Sequence, residues 1–432
     1  MSVATPALRD STTAATGLLR VATAGSVDDG KSTLVGRLLY DTKTVLADTL
    51  ASVTQTSLDR GGDAIDLSLL TDGLRAEREQ GITIDVAYRY LTTPRRSIVL
   101  IDTPGHVQYT RNTVTGASNA DVALLLVDVR AGLVEQARRH LAVLALLRVP
   151  HLVLAVNKVD LVGFDEAAFR SVGADVASYA AGLGVHAVTA VPVSALRGDN
   201  VTTRSDAMPW YDGPTLLGLL ETLEVDVRPG AALRFPVQWV ARPPAGAADE
   251  GRRYAGTVTA GVLRPGDEVL VLPAGGRTTV TAVDTPAGPL AAAGRGAAVT
   301  VRLADDLDVG RGDTLVDPAS APAVIRELDL DVAWMSTRTL RAGDRVRVRH
   351  TGRVVRGLVT TVLDTLDVAA GVRVPADTLG ANDIGRVRLT TAEPLAVDAY
   401  ADDRATGGLL LLDEASGDTL GAGLVRARCL DG

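Results

Sequence analysis

The chain has 432 residues, 44 Lys+Arg against 52 Asp+Glu for a net charge of −8, 46% hydrophobic residues and 22% charged ones. That balance excludes a disordered chain, and the acidity argues against nucleic-acid binding through a basic surface. Aromatic residues make up only 3%, so the cores must be built from Ala, Val, Leu and Ile.

A single cysteine, Cys429, rules out an intramolecular disulfide and fits a reducing, cytoplasmic compartment. No apolar run nears the length of a membrane span; the one over residues 122–127 has the length of a strand. The first 17 residues are rich in Ser, Thr and Ala and lack an apolar signal core, so they read as a flexible tail, with a short transit peptide as the alternative.

Apolar runs over 18–24, 85–91, 97–101, 122–127, 151–156 and 187–193 predict strands, and amphipathic stretches over 31–40, 135–147 and 165–181 predict helices between them. Strands alternating with helices mean βαβ units and a mainly parallel sheet covered on both faces. Residues 41–84 are too many for an ordinary loop and read as a functional insertion. After about Val227 the texture changes, with Arg228-Pro229-Gly230 marking a boundary. Short β-branched runs then alternate with Gly-Asp turns. Leu263-Arg264-Pro265-Gly266-Asp267 is echoed by Leu340-Arg341-Ala342-Gly343-Asp344, and Gly312-Asp313-Thr314-Leu315 by Gly417-Asp418-Thr419-Leu420. These echoes predict two small all-β barrels in tandem, parted near residues 318–323.

Four elements in the first half carry chemistry. Gly25-Ser26-Val27-Asp28-Asp29-Gly30-Lys31-Ser32, followed by Thr33, matches G-x-x-x-x-G-K-[ST] between a strand and a helix. Its glycines let backbone amides close around phosphate, and the helix N-terminus adds a positive dipole. Lys31 is expected to reach the β- and γ-phosphates and Ser32 to bind Mg²⁺. Only three lysines occur, Lys31, Lys43 and Lys158. Drift that turns nearly every Lys into Arg is expected to spare positions where a compact ammonium cannot become a planar fork, and two of the three, Lys31 and Lys158, sit where a guanine-nucleotide site needs them.

Asp102-Thr103-Pro104-Gly105-His106 closes the third strand run, where Asp102 can hold Mg²⁺ through water and the Gly105 amide can sense the γ-phosphate. Asn157-Lys158-Val159-Asp160 follows a strand, and the Asp160 carboxylate can accept from N1–H and the exocyclic amine of guanine, a donor pair adenine lacks. Ser194-Ala195-Leu196 follows the last strand and suits backbone contact to the guanine oxygen. Taken in order, the four describe a GTP site. The expected architecture is therefore a P-loop GTPase domain over 18–228, with barrels over 229–320 and 321–432.

The first half resembles the translation-factor-like GTPases, in which a nucleotide domain precedes two β-barrels. It is closer still to one branch, the GTPase subunit of bacterial sulfate adenylyltransferase. That likeness is carried by GSVDDGKS at 25–32, TDGLRAEREQGITIDVAYRY at 71–90, DTPGHVQYTRNTVTG at 102–116 and MPWYDGP at 208–214. The resemblance implies that Thr83 binds Mg²⁺ and γ-phosphate, that Val27 and Ile82 act as apolar gates, and that His106 positions the attacking water. It further implies GTP hydrolysis coupled to ATP + sulfate giving adenylyl sulfate + pyrophosphate. The chain shows no second phosphate cradle, so adenylyl transfer is expected on a separate small catalytic subunit. With no second P-loop before Gly432 it looks like the form without a fused adenylylsulfate kinase. Lys43 lies in a family-like stretch without a chemical role, and His140, His151, His186 and His350 read as solvated or packed. The alternative is an elongation-factor-like GTPase delivering aminoacyl-tRNA; the acidic balance and scarce aromatics speak against it.

Overall fold

Apolar runs without a polar break build the central sheet, because strands with helices on both sides bury both faces. The computed structural model describes residues 17–45, 47–59, 65–70, 85–106, 109–224, 231–242 and 251–427. The chain forms two compact units, Met1–Asp226 and Val227–Gly432.

The first unit runs β1 (Leu19–Gly25), α1 (Lys31–Asp41), α2 (Ala47–Asp59), β2 (Ala87–Thr92), β3 (Ser97–Asp102), α3 (Thr110–Ala117), β4 (Val122–Asp128), α4 (Glu135–Leu146), β5 (His151–Asn157), α5 (Glu166–Gly182), β6 (Val188–Pro192) and α6 (Leu216–Thr222). Its sheet has the order β2-β3-β1-β4-β5-β6. Every neighbouring pair is parallel except β2 and β3, which are antiparallel. All seven residues of β4 are buried. Part of the stretch expected as an insertion is helical, with α2 followed by a 3₁₀ turn at Leu67–Leu70.

Helix α1 shows why the sequence folds this way locally. Its buried positions Lys31, Leu34, Val35, Leu38 and Leu39 recur at helical spacing and pack on the sheet. Each such leucine, fully buried, stabilises the unit by about 1.5–3 kcal/mol. Helix α5 begins at Asp165, whose carboxylate accepts the Ala167 N–H at 2.9 Å. Because the strands run parallel, the C-terminal ends of β1, β3, β4, β5 and β6 lie along one edge of the sheet, and the loops beyond them carry the motifs.

The second unit is all β. Six strands from Arg234–Ala241 to Thr314–Val316 close on themselves through the pairing of Glu268–Leu272 with Gly276–Thr285. Six more, from Ala323–Trp334 to Thr419–Val425, close through Arg345–His350 with Arg353–Asp367. The echoed turns share one geometry. Gly266 and Gly343 have φ of 95° and 90°, a conformation glycine adopts without strain. The aspartate after each accepts the backbone N–H three residues earlier, Arg264 at 2.7 Å and Arg341 at 3.0 Å. Buried Arg234 of the first ring donates to both oxygens of Asp398 in the second, each at 2.8 Å. Arg353 reaches back to Asp313 at 2.7 Å, and Leu272, Val316 and Ala396 form an apolar cluster shared by both rings. Among the described residues no helix is long and apolar enough to cross a membrane.

Candidate guanine-nucleotide site

Strand β1 runs between β3 and β4 and delivers the glycine loop at its C-terminal end. Inside that loop the Asp29 carboxylate accepts the Ser26 N–H at 2.6 Å and the Asp128 N–H at 3.3 Å. Burial raises the Asp29 pKa, opposed by the Ser26 bond and the Lys31 charge. Lys31 is buried, and its Nζ donates to the carbonyls of Gly25 at 3.0 Å and Ser26 at 2.6 Å. Burial also lowers the ammonium pKa, opposed by Asp102 and Asp29. Gly30 caps α1 with φ of 93°, and a Cβ there would sit 2.4 Å from Asn157 Nδ2. Gly30 offers no side-chain cap to α1, and among the described residues no other group is bonded to the first-turn amides of Ser32 and Thr33, which suit an anion.

The second motif packs directly on this loop. A Cβ on Gly105 would lie 2.4 Å from Lys31 Nζ and 3.1 Å from the Val27 nitrogen. Asp102 is buried and accepts Thr23 Oγ1 at 2.8 Å, while Thr103 Oγ1 donates to the Thr23 carbonyl at 2.6 Å. These bonds fix the end of β3 against β1, with Pro104 and Gly105 buried beyond it. Partly buried His106 follows and meets Tyr109 edge-on, ring centroids 6.1 Å apart. The cradle fits a nucleotide with Mg²⁺, since Ser32 and Asp102 offer the hard oxygen donors that ion prefers and the glycines leave room for phosphate. Thr83, expected as a further ligand, and Ile82 lie outside the described residues.

The base motifs converge on the same loop. Buried Asn157 donates to the Asp29 carbonyl at 2.7 Å and accepts the Ala195 N–H at 3.0 Å, tying three loops together. Lys158 has φ of 63°; its Nζ donates to the Asp28 carbonyl and pairs with Asp128 at 3.0 Å. Asp160 stands partly exposed in the 3₁₀ turn Val159–Val162. Buried Ser194 accepts the Arg197 N–H on its hydroxyl at 3.2 Å, and Leu196 is exposed. Lys43, with φ of 55°, is exposed just past the end of α1.

Three residues of this assembly escaped the motif reading. Asp128 binds both Arg130 and Lys158; burial raises its pKa, but those partners prevail and hold it down to about 2. Gln136 and His140, one turn apart on α4, grip the glycine loop from behind. Gln136 Oε1 accepts Ser26 Oγ at 2.9 Å, and His140 Nδ1 accepts the Gly25 N–H at 3.0 Å. His140 is wholly buried, and burial, then the Lys31 charge, lowers its pKa to about 3. The ring is therefore neutral, with its proton on Nε2. The register that sets Asp128 beside Asn157 at adjacent strand ends was the available signal for the first. The i, i+4 spacing of Gln136 and His140 puts both on one face of α4, but it carries no sign that this face holds the glycine loop.

Residues 17–228 match the family model of the elongation factor Tu GTP binding domain, and residues 327–426 match that of the GTP-eEF1A C-terminal domain-like family. The sulfate adenylyltransferase subunit 1 of Sodalis glossinidius (strain morsitans) is 48% identical over 413 residues, covering 95% of this chain and 86% of that protein. The chain belongs to the sulfate adenylyltransferase subunit 1 family. The subunit 1 of Laribacter hongkongensis (strain HLHK9) is 46% identical, covering 95% of this chain and 85% of that protein. A bifunctional enzyme CysN/CysC of Mycobacterium tuberculosis (strain ATCC 25618 / H37Rv) is 52% identical over 95% of this chain and 67% of its own length. Among solved structures, the GTPase-like domain of Ski7 from S. cerevisiae, bound to GDP and inorganic phosphate, superposes with a TM-score of 0.52 at 16% identity, covering 95% of this chain and 97% of that one. That likeness concerns the fold. Membership of the subunit 1 family makes the chain a GTP-binding protein, as the four motifs had pointed to, and a GTPase subunit of sulfate activation, as the resemblance implied.

Proposed function

We propose that this chain hydrolyses GTP at the glycine loop and that the hydrolysis drives adenylyl transfer from ATP to sulfate on a separate, small catalytic subunit. The observation that carries the reading is Asn157, whose single side chain joins the phosphate loop to the loop after β6. A phosphate cradle and a base-reading edge are thereby held as one site. The name of these relatives, subunit 1, supports a second subunit.

In this reading Lys31 leaves the loop carbonyls for the β- and γ-phosphates, and the first-turn amides of α1 take the remaining charge. Ser32, Thr83 and Asp102 would hold Mg²⁺, with Asp102 acting through water. When bound, the ion neutralises charge on the phosphates. His106 orients the attacking water beside the Gly105 turn, flanked by the apolar gates Val27 and Ile82. Asp160 accepts from guanine N1–H and the 2-amino group, and the backbone of Ser194, Ala195 and Leu196 answers the carbonyl. Residues 18–228 thus do the nucleotide work, and the barrels over 229–320 and 321–432 follow.

Adenylyl sulfate formation is steeply uphill, so a coupled hydrolysis supplies the drive. The test is pyrophosphate release from ATP and sulfate, with and without GTP, on mixing the chain with the candidate catalytic subunit. GTP should raise both the rate and the final yield. Identical yields with and without GTP would overturn the coupling.

A further inference from the structure

Helix α1 reaches the base side of the site as well as the phosphate side. From its outer face Arg37 crosses to the loop after β6, where Nε donates to the Ala195 carbonyl at 3.2 Å and Nη2 to the Leu196 carbonyl at 2.6 Å. Its third nitrogen, Nη1, pairs with Asp41 one turn on at 3.4 Å, and the other oxygen of Asp41 accepts Thr202 Oγ1 at 2.7 Å. The guanidinium carbon stands 5.8 Å from the Tyr40 ring centroid. The fork is pinned on all three nitrogens, and Lys could not reproduce that arrangement.

The carbonyl of Ala195 and the N–H of Leu196 belong to one planar trans peptide, so they point in opposite directions. Holding the carbonyl on Arg37 turns the Leu196 N–H away from α1. That N–H donates to no protein acceptor among the described residues. The preceding N–H, of Ala195, is already committed to Asn157. A cation on the carbonyl also polarises the peptide and strengthens the donor at its other end.

We infer that Arg37 is a positioning residue for base selectivity, holding the Ala195–Leu196 peptide so that the Leu196 N–H meets O6 of guanine. The inference rests on the proposed reading of Ser194–Ala195–Leu196 as the guanine-carbonyl contact. It gives α1 two tasks at once, anchoring phosphate at its first turn and setting the base loop from its second.

Three nucleotides separate the outcomes. GTP presents O6 and the 2-amino group, 6-thioguanosine triphosphate replaces O6 by a weakly accepting sulfur, and inosine triphosphate keeps O6 but lacks the amine read by Asp160. Affinities are measured by titration on the full chain and on Arg37→Met and Arg37→Lys. The methionine variant should lose about three- to tenfold of the preference for GTP over the thio analogue, the worth of one hydrogen bond. Its preference for GTP over the inosine nucleotide should not change. Lysine, restoring the charge and one donor, should recover part of the loss. Equal weakening toward all three nucleotides, or both preferences intact, overturns the role of Arg37. If the wild-type chain itself fails to prefer GTP over the thio analogue, the reading of the base loop fails first, a result visible without any variant.

Discussion

In the proposed reading Asp160 and His106 act on the same nucleotide at different moments, and single substitutions should separate them. Asp160→Asn turns an acceptor into a donor toward the base edge, so the variant should lose GTP and gain xanthosine triphosphate, whose ring has the opposite need there. Unchanged preference for GTP in a titration would remove Asp160 from the base site. Water positioning belongs to the transition state, so His106→Ala should keep GTP affinity and cut kcat, while Lys31→Ala should weaken binding itself. Equal losses of affinity in both variants would make His106 structural. His140 contributes in a third way, through its protons. Its folded pKa of about 3 lies below the ordinary 6.5, so below pH 6.5 the unfolded chain binds a proton that the native state refuses. The contribution is complete above 6.5 and is lost progressively as the pH falls toward 3. Between pH 7 and pH 5 the loss is about 2 kcal/mol. Asp128, also depressed, acts in the same sense at lower pH. Urea unfolding of the nucleotide-free chain at pH 7, 6 and 5 reads the effect, and a midpoint independent of pH would contradict it.

At the scale of elements, the strands were legible because a parallel sheet leaves no polar face. Residues 122–127 were read as a strand from their apolar run alone, and β4 is buried along its whole length. Such a strand has no spare surface, so Leu126→Ala should destabilise the first unit by about 2–5 kcal/mol, measured as a drop in the urea midpoint. A cost below 1 kcal/mol would mean the sheet repacks freely. The echoed Gly-Asp turns were equally legible, because a positive φ at Gly266 and Gly343 leaves a local trace in composition. The phosphate and base motifs were readable for the same reason, each being a run of neighbouring residues. Arg37, Gln136 and His140 were not. Their partners stand 158 or 159, 110 and 115 residues away, and nothing in the local pattern of α1 or α4 distinguishes a residue that holds a loop from one that packs a core. Periodicity tells which face is inward, and only the fold tells what waits there.

For the whole molecule, the proposed division of labour makes a further prediction. Alone, the chain should turn over GTP slowly, at roughly 10⁻⁴ to 10⁻² s⁻¹, and should make no adenylyl sulfate from ATP and sulfate. Adding the catalytic subunit should raise GTP turnover, and a non-hydrolysable GTP analogue should leave the final yield of adenylyl sulfate where it was. Adenylyl sulfate formed by the isolated chain would sink the scheme. The clasp between the rings bears on how such a coupling can be transmitted. Arg234 and Asp398 meet through two charge-assisted bonds beside an apolar seam, and Arg353 fastens the same pair of rings a second time through Asp313. Tilting one ring against the other would strand a buried guanidinium, at a cost of several kcal/mol. The rings therefore behave as a single lever with no elbow. Spin labels placed one on each ring should therefore report one narrow distance whichever guanine nucleotide is bound.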